Sequence, residues 1–194
     1  MSFDDSSFDA SDVSDVPGAS SSFPSDARWR TRPETGADRA AVHALHTAAF
    51  GRPDEADLVD ALRADDTAWL PGLSYVALAP DGTVAAHALI TRCRVGDAPA
   101  AALAPVGVSP DHQRQGAGQA VVRAVLDAAR RGGERLVLVL GHPEYYPKFG
   151  FVPASRYGIR PSFEVPDEAM MALPVDGCGA LPMGTITYPP AFGV

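Results

Sequence analysis

Between Ala98 and Leu140 the chain reads as a strand, a glycine turn, a helix and a second strand, and that order sharply limits the folds open to it. Pro105 and Gly107 interrupt an apolar run from Ala100 to Val108. Proline donates no ladder hydrogen bond and glycine often marks a bulge or a close backbone approach, so the strand is predicted to break near Val106. A broken strand leaves N–H and C=O groups that an extended, amide-bearing ligand can pair with, as a peptide adds to a sheet edge. Gly116 and Gly118 then open a helix predicted over Ala117 to Arg131, whose first N–H groups lack helical partners and carry the positive end of the dipole. That geometry predicts an anion site. Leu136 to Leu140, aliphatic throughout, reads as a strand buried on both faces. Strand, helix and strand in succession make a right-handed parallel crossover.

The 194 residues, 46% of them hydrophobic, are enough for one sizeable core. The net charge of −8 is unevenly placed, because Asp4, Asp5, Asp9, Asp12, Asp15 and Asp26 lie in residues 1–27 with no Lys or Arg, leaving −2 for the remainder. That segment also holds nine serines and cannot bury enough apolar surface to offset its ordering entropy. It is predicted to be a disordered acidic tail ahead of a single domain over residues 28–194. A near-neutral domain with one lysine, Lys148, has no basic stripe for nucleic acid. No apolar run reaches the length of a membrane span and the N-terminus lacks a signal-peptide pattern. The expected location is the cytoplasm, with Cys93 and Cys178 as reduced thiols rather than a disulfide or metal pair.

Earlier in the chain, Trp29 to Arg32 alternates as an edge strand, and helices are predicted over Asp38 to Phe50 and Asp54 to Ala64. Leu73 to Ala79 and Thr83 to Arg92 flank Pro80-Asp81-Gly82, a hairpin turn. Ala98 to Val108 forms the next antiparallel arm. In the long helix, Ala120, Val121, Ala124, Val125 and Ala128 are expected inward and Arg123, Arg130 and Arg131 outward, with a stop at Gly132-Gly133. A short helix over Pro143 to Phe149, a strand from Gly150, and strands over Ala169 to Leu173 and Thr185 to Tyr188 complete the reading.

This β-α-α-β-β-β-α-β-α-β order resembles the GNAT superfamily of N-acetyltransferases, which bind acetyl-coenzyme A. The superfamily pattern Gln/Arg-x-x-Gly-x-Gly/Ala is matched by Gln113, Gly116 and Gly118. The broken strand Val106-Gly107-Val108 lies at the right distance before it, and Tyr146 to Phe151 is similar to the superfamily's Tyr-x-x-x-Gly-Phe segment. A phosphate loop is disfavoured, because no Gly-Lys-Ser/Thr follows. More narrowly, Leu103 to Val108, His142 to Tyr146 and Gly184 to Phe192 resemble a bacterial YhbS-like subgroup of acetyltransferases. The resemblance implies an α/β (α+β) fold with a mixed, mostly antiparallel sheet of six to seven strands flanked by helices, and a splayed strand pair at the cofactor site.

The same resemblance implies an acetyl-CoA-dependent N-acetyltransferase acting on a primary amine by direct attack in a ternary complex, without a metal. The amine belongs to a small molecule or a protein; no nucleic acid or membrane is expected as partner, and assembly as a homodimer stays open. Pantetheine would pair with the backbone of Val106, Gly107 and Val108, and the diphosphate would lie on Arg114, Gln115, Gly116, Ala117, Gly118 and Gln119, with Gln113 opening the turn. An N–H near Val108 would stabilise the developing oxyanion. Tyr146 would give the leaving thiolate its proton, with Tyr145 as packing. For the base the choice stays open between His142, placed at the end of the buried strand, and Glu144; His43, His46, His87 and His112 lack such placement. The apolar ending from Pro189 raises the further expectation that the carboxylate of Val194 folds back into the cleft. The competing function is a module that holds coenzyme A without turnover.

Overall fold

The computed structural model describes residues 29–175 and 180–194. The acidic tail and Cys178 lie outside them. Strands β1 (Arg30–Pro33), β2 (Trp69–Leu78), β3 (Val84–Val95), β4 (Ala98–Val108), β5 (Leu136–Leu140), β6 (Val152–Pro153), β7 (Ile159–Arg160), β8 (Met170–Pro174) and β9 (Gly184–Thr187) form the sheet, and α1 (Arg39–Phe50), α2 (Asp54–Ala64) and α3 (Ala117–Arg131) flank it. The continuous order is β1-β2-β3-β4-β5-β8-β6, with β9 joined to β3 and β7 to β9. That path carries the seven strands expected; β7 and β9 extend the sheet beyond it. Along the path every pairing is antiparallel except β4 with β5.

Local chemistry sets the boundaries. The Asp38 carboxylate accepts from the backbone N–H of Thr35 at 2.8 Å and from both terminal nitrogens of Arg32 at 2.7 and 2.9 Å, which fixes the entry to α1. Gly51 ends α1 at φ 70°, donating to Thr47 O at 2.9 Å, a conformation a Cβ would penalise. At the β2–β3 hairpin Asp81 Oδ1 accepts from Thr83 N at 2.9 Å, and Gly82 takes φ 88°.

Several boundaries differ from the sequence reading. Strand β2 starts at Trp69 rather than Leu73, because the Pro71-Gly72 break is absorbed as an irregularity between Trp69 and Ser74. Strand β3 runs on to Val95, where Arg94 and Val95 pair with Pro99 and Ala98 of β4 on one side and with β9 on the other. The segment from Pro143 forms a single 3-10 turn, Tyr146–Phe149, with Pro147 near its start. On α3 the buried side comprises Val121, Val122, Val125, Leu126, Ala128 and Ala129, while Ala120 and Ala124 are half-buried.

The two sheet faces carry separate cores. Val121, Val122 and Val125 of α3 pack with Ala86, Ala88 and Ile90 of β3. On the opposite face Val42 of α1 and Val59 and Leu62 of α2 pack with Val76, Leu78 and Leu89. Each such fully buried valine or leucine contributes roughly 1.5–3 kcal/mol relative to exposure. Both helical layers therefore brace β3 and β4, the strands that meet the candidate site.

Candidate active site

The interruption in β4 has a definite form. Val106 stands opposite Ala88 and Leu103 opposite Ile90, so β4 fits Ala104 and Pro105 where β3 has only Leu89. This is a bulge, as Pro105 and Gly107 predict. The parallel ladder joins Ala101 to Val137 and Ala102 to Leu138 and ends there, so β4 from Leu103 and β5 from Val139 splay apart. Gly107 is required by what lies behind it: a Cβ there would come within 2.8 Å of the His46 ring and Leu45 Cδ2.

Two cavities meet at this splay. A long groove of about 680 Å³ runs past Val106, Gly107, Val108, Gln113, Arg114, Gly116, Gly118 and Gln119, with Tyr145 and Lys148 on its far wall. At its turn Arg114 at φ 58° and Gly116 at φ 93° redirect the backbone, and Ala120 N–H bonds to Gly116 O at 3.0 Å. The N–H groups ahead of Ala120 fall outside the helical ladder. A Cβ on Gly118 would stand 3.0 Å from Val108 Cγ2 and 3.1 Å from the Tyr145 hydroxyl, so the glycine permits this close packing. Gln115 and Ala117, expected to serve through their backbone N–H groups, turn their side chains elsewhere. The Gln115 side chain turns back to Asp111 O at 2.7 Å, and Ala117 is buried in the core.

The second cavity, about 440 Å³, occupies the splay and extends away from the groove, walled mainly by apolar side chains. Tyr146 lines it, its ring so close to Gly141 that a Cβ there would stand 2.3 Å from Cε2. Burial pushes the Tyr146 phenol up to about 12, so it keeps its proton throughout the neutral range. His142 is exposed and lines both cavities, as do Phe50 and Val106. Glu144 lies outside the apolar cavity, in a shallower depression with His142 and Pro143. Val194 is on the cavity wall. Cys93 is buried in β3, and burial drives its thiol up to about 12, which denies it a nucleophilic thiolate.

Sequence reasoning missed three features. Tyr145, read as packing, presents its hydroxyl at Gly118 in the groove, and Lys148 Nζ sits 4.0 Å from the Tyr145 ring centre. That Lys148 is the sole lysine was the one available signal. Glu55, at the start of α2, lies on the wall of the apolar cavity. Most distinctive is a buried chain behind Gly107. His46 Nε2 lies 2.8 Å from His87 Nδ1, and His87 Nε2 lies 2.9 Å from Ser74 Oγ. Ser74 donates to Glu34 Oε2, and Glu34 Oε1 accepts from Arg63 at 2.7 Å. Every link is satisfied when both imidazoles are neutral with the proton on Nε2. Burial agrees, lowering His87 and bringing His46 down to about 3. For Glu34, burial alone would raise the carboxyl; hydrogen bonds with His87 and Ser74 and the Arg63 charge overcome it and hold the group at about 2.

The model of the acetyltransferase (GNAT) family matches residues 39–151. The chain belongs to the GNAT acetyltransferase family. A curated relative of this GNAT protein, the uncharacterized N-acetyltransferase YjhQ of Escherichia coli, is 35% identical over 151 residues, covering 75% of this chain and 82% of the relative. The crystal structure of the GNAT protein YhbS from Escherichia coli in complex with CoA superposes with a TM-score of 0.76 at 25% identity, over 86% of this chain and 93% of that one. A GNAT acetyltransferase from Brucella melitensis in complex with acetyl-CoA gives 0.69 at 29% identity, over 84% and 97%. Among the described residues no group of three His, Cys, Asp or Glu side chains could hold a metal ion, and no helix is long and apolar enough to cross a membrane.

Proposed function

We propose that this chain moves an acetyl group from acetyl-CoA to a primary amine by direct attack while both are bound. The observation that carries the reading is the meeting of the two cavities at the β4–β5 splay, where His142, Phe50 and Val106 belong to both. The groove suits an extended pantetheine on the bulged backbone of Val106 to Val108, ending in a diphosphate on the turn before α3. The relatives solved with CoA and with acetyl-CoA support that assignment. In the second cavity the amine nitrogen attacks the thioester carbonyl, its proton leaves to His142, the carbon–sulfur bond breaks, and Tyr146 protonates the departing thiolate. Solvent restores both side chains. His142 is favoured over Glu144 as the base because Glu144 does not reach this cavity. With the Cys93 thiol buried and protonated, transfer needs no acetylated Cys93 intermediate.

Acetyl-CoA at a hundredfold excess over its dissociation constant is expected to stabilise the protein by about 2.7 kcal/mol, read as a rise in melting temperature. A protein that shows no shift even at millimolar acetyl-CoA would not be using this groove. Gly118→Ala places a methyl against Val108 and the Tyr145 hydroxyl. It is expected to weaken acetyl-CoA about tenfold in isothermal titration, with the far-ultraviolet circular dichroism unchanged.

A further inference from the structure

We propose that the acceptor is a monoamine carried on a compact apolar body, an arylalkylamine or alkylamine, whose ammonium docks on Glu55, gives one proton to solvent, and stays hydrogen-bonded there as the neutral amine that attacks. This rests on the acetyl-transfer reading above. Three rings from the C-terminal part of the chain make one wall of the 440 Å³ cavity: Phe163 and Tyr188 have centroids 6.3 Å apart, and Tyr188 and Phe192 5.2 Å. Leu58 of α2 lines the cavity as well. Such walls favour a hydrocarbon or aromatic substrate body and leave most hydroxyls of an amino sugar facing apolar side chains.

Glu55 is the one acidic side chain among the residues that line the cavity. Glu55 Oε1 accepts from the exposed Arg52 at 2.8 Å, whereas Oε2 is buried and has no hydrogen-bond partner among the described residues. A buried carboxylate oxygen left unmet favours an incoming N–H donor, and an ammonium is the strongest one an amine substrate brings. One such oxygen matches one ammonium. The second and third charges of a polyamine would meet no further Asp or Glu side chain on the cavity wall. A free amino acid would bring its own carboxylate beside Glu55, with repulsion as the result. The 3-10 turn Pro190–Phe192 packs on α2 and encloses the cavity on that side, so a lysine within a folded protein surface is poorly accommodated.

The test is thiol release from saturating acetyl-CoA with 2-phenylethylamine, n-hexylamine, phenylalanine, spermidine, glucosamine and an N-acetylated lysine peptide. The two monoamines are expected to give kcat/KM at least about tenfold above every other compound. Glu55→Gln is expected to raise KM for 2-phenylethylamine about tenfold or more, with the acetyl-CoA thermal shift retained as proof of fold. Phe163→Ala should raise KM for the phenyl compound more than for hexylamine. Preference for spermidine, glucosamine, phenylalanine or the peptide overturns the proposal, as does an unchanged KM in Glu55→Gln. Acetyl-CoA binding without turnover of either monoamine overturns it too and leaves the cofactor assignment standing. Loss of acetyl-CoA binding itself would sink the underlying acetyl-transfer reading instead.

Discussion

Tyr146→Phe is expected to lower turnover about 10²- to 10³-fold while leaving acetyl-CoA affinity within about twofold, the scale of a lost proton donor. The ring is held by contacts that phenylalanine keeps, edge-on to Phe151 at 5.7 Å between centroids and beside Phe149 at 6.3 Å, so the substitution removes the hydroxyl and little else. Burial holds that hydroxyl at about 12, so it stays protonated and present as a donor to the departing sulfur throughout the neutral range. No alkaline fall in kcat from this group is therefore expected below about pH 10, since its neutral form persists until the pH approaches its raised value. Tyr145→Phe is the control. Its hydroxyl stands at Gly118 in the long groove, so that variant should change acetyl-CoA affinity and leave the rate at saturation nearly intact. Steady-state thiol release with equilibrium binding on both variants separates these outcomes. A Tyr146→Phe protein with full kcat would remove Tyr146 from the chemistry. If neither wild type nor variant releases thiol while both bind acetyl-CoA, the chain is a coenzyme A-binding module.

What could be read from the residues was what is punctuated locally. Strand β4, α3 and β5 carry a proline and glycine break, a glycine opening and a Gly-Gly stop, and their predicted limits coincide with the observed ones. Helix α2, opened by Pro53 and Asp54, did as well. The inward side of α3 was less legible because apolar residues almost encircle it: positions 120, 121, 122, 124, 125, 126, 128 and 129 are all Ala, Val or Leu. Small alanines leave the rotation of such a helix undecided, and packing on β2 and β3 buries Val122, Leu126 and Ala129 alongside the predicted Val121, Val125 and Ala128. The first half of β2 was hidden by Pro71 and Gly72, whose local signal is a turn. The apolar cavity could not be assembled from sequence, since its walls come from the ends of α1 and α2, the splayed strands and a segment beyond Phe163. The histidine pair is the plainest case. His46 and His87 lie 41 residues apart, each inside an apolar segment, and nothing near either one announces the other.

That pair sets the second large effect, a loss of stability on mild acidification. Both imidazoles are neutral in the folded protein, with His46 at about 3 and His87 also lowered by burial, against 6.5 in an unfolded chain. Below pH 6.5 the unfolded state therefore binds more protons than the folded state, and stability must fall as pH falls. His46, held at about 3, contributes a loss of about 1.4 kcal/mol by pH 5.5 relative to pH 8, and that loss grows until the folded-state group titrates; His87, also lowered, adds to it in the same direction. Glu34 adds to the same direction at lower pH. Its carboxylate, held at about 2 against 4.5, stabilises the fold above 4.5 and loses that contribution as pH falls towards 2; solvent near the group keeps the effect below the ~3 kcal/mol that the shift alone would give. The measurement is the urea midpoint from pH 8 to pH 4.5. Wild type is expected to lose at least about 1.4 kcal/mol between pH 8 and pH 5.5, whereas the double variant His46→Gln with His87→Gln should start less stable and show a much flatter profile. A wild-type midpoint that stays level across this range would mean that the two imidazoles can charge in place. Because His46 fills the space behind Gly107, their protonation loosens the seat of the bulged strand, and saturating acetyl-CoA should move the acid transition to lower pH.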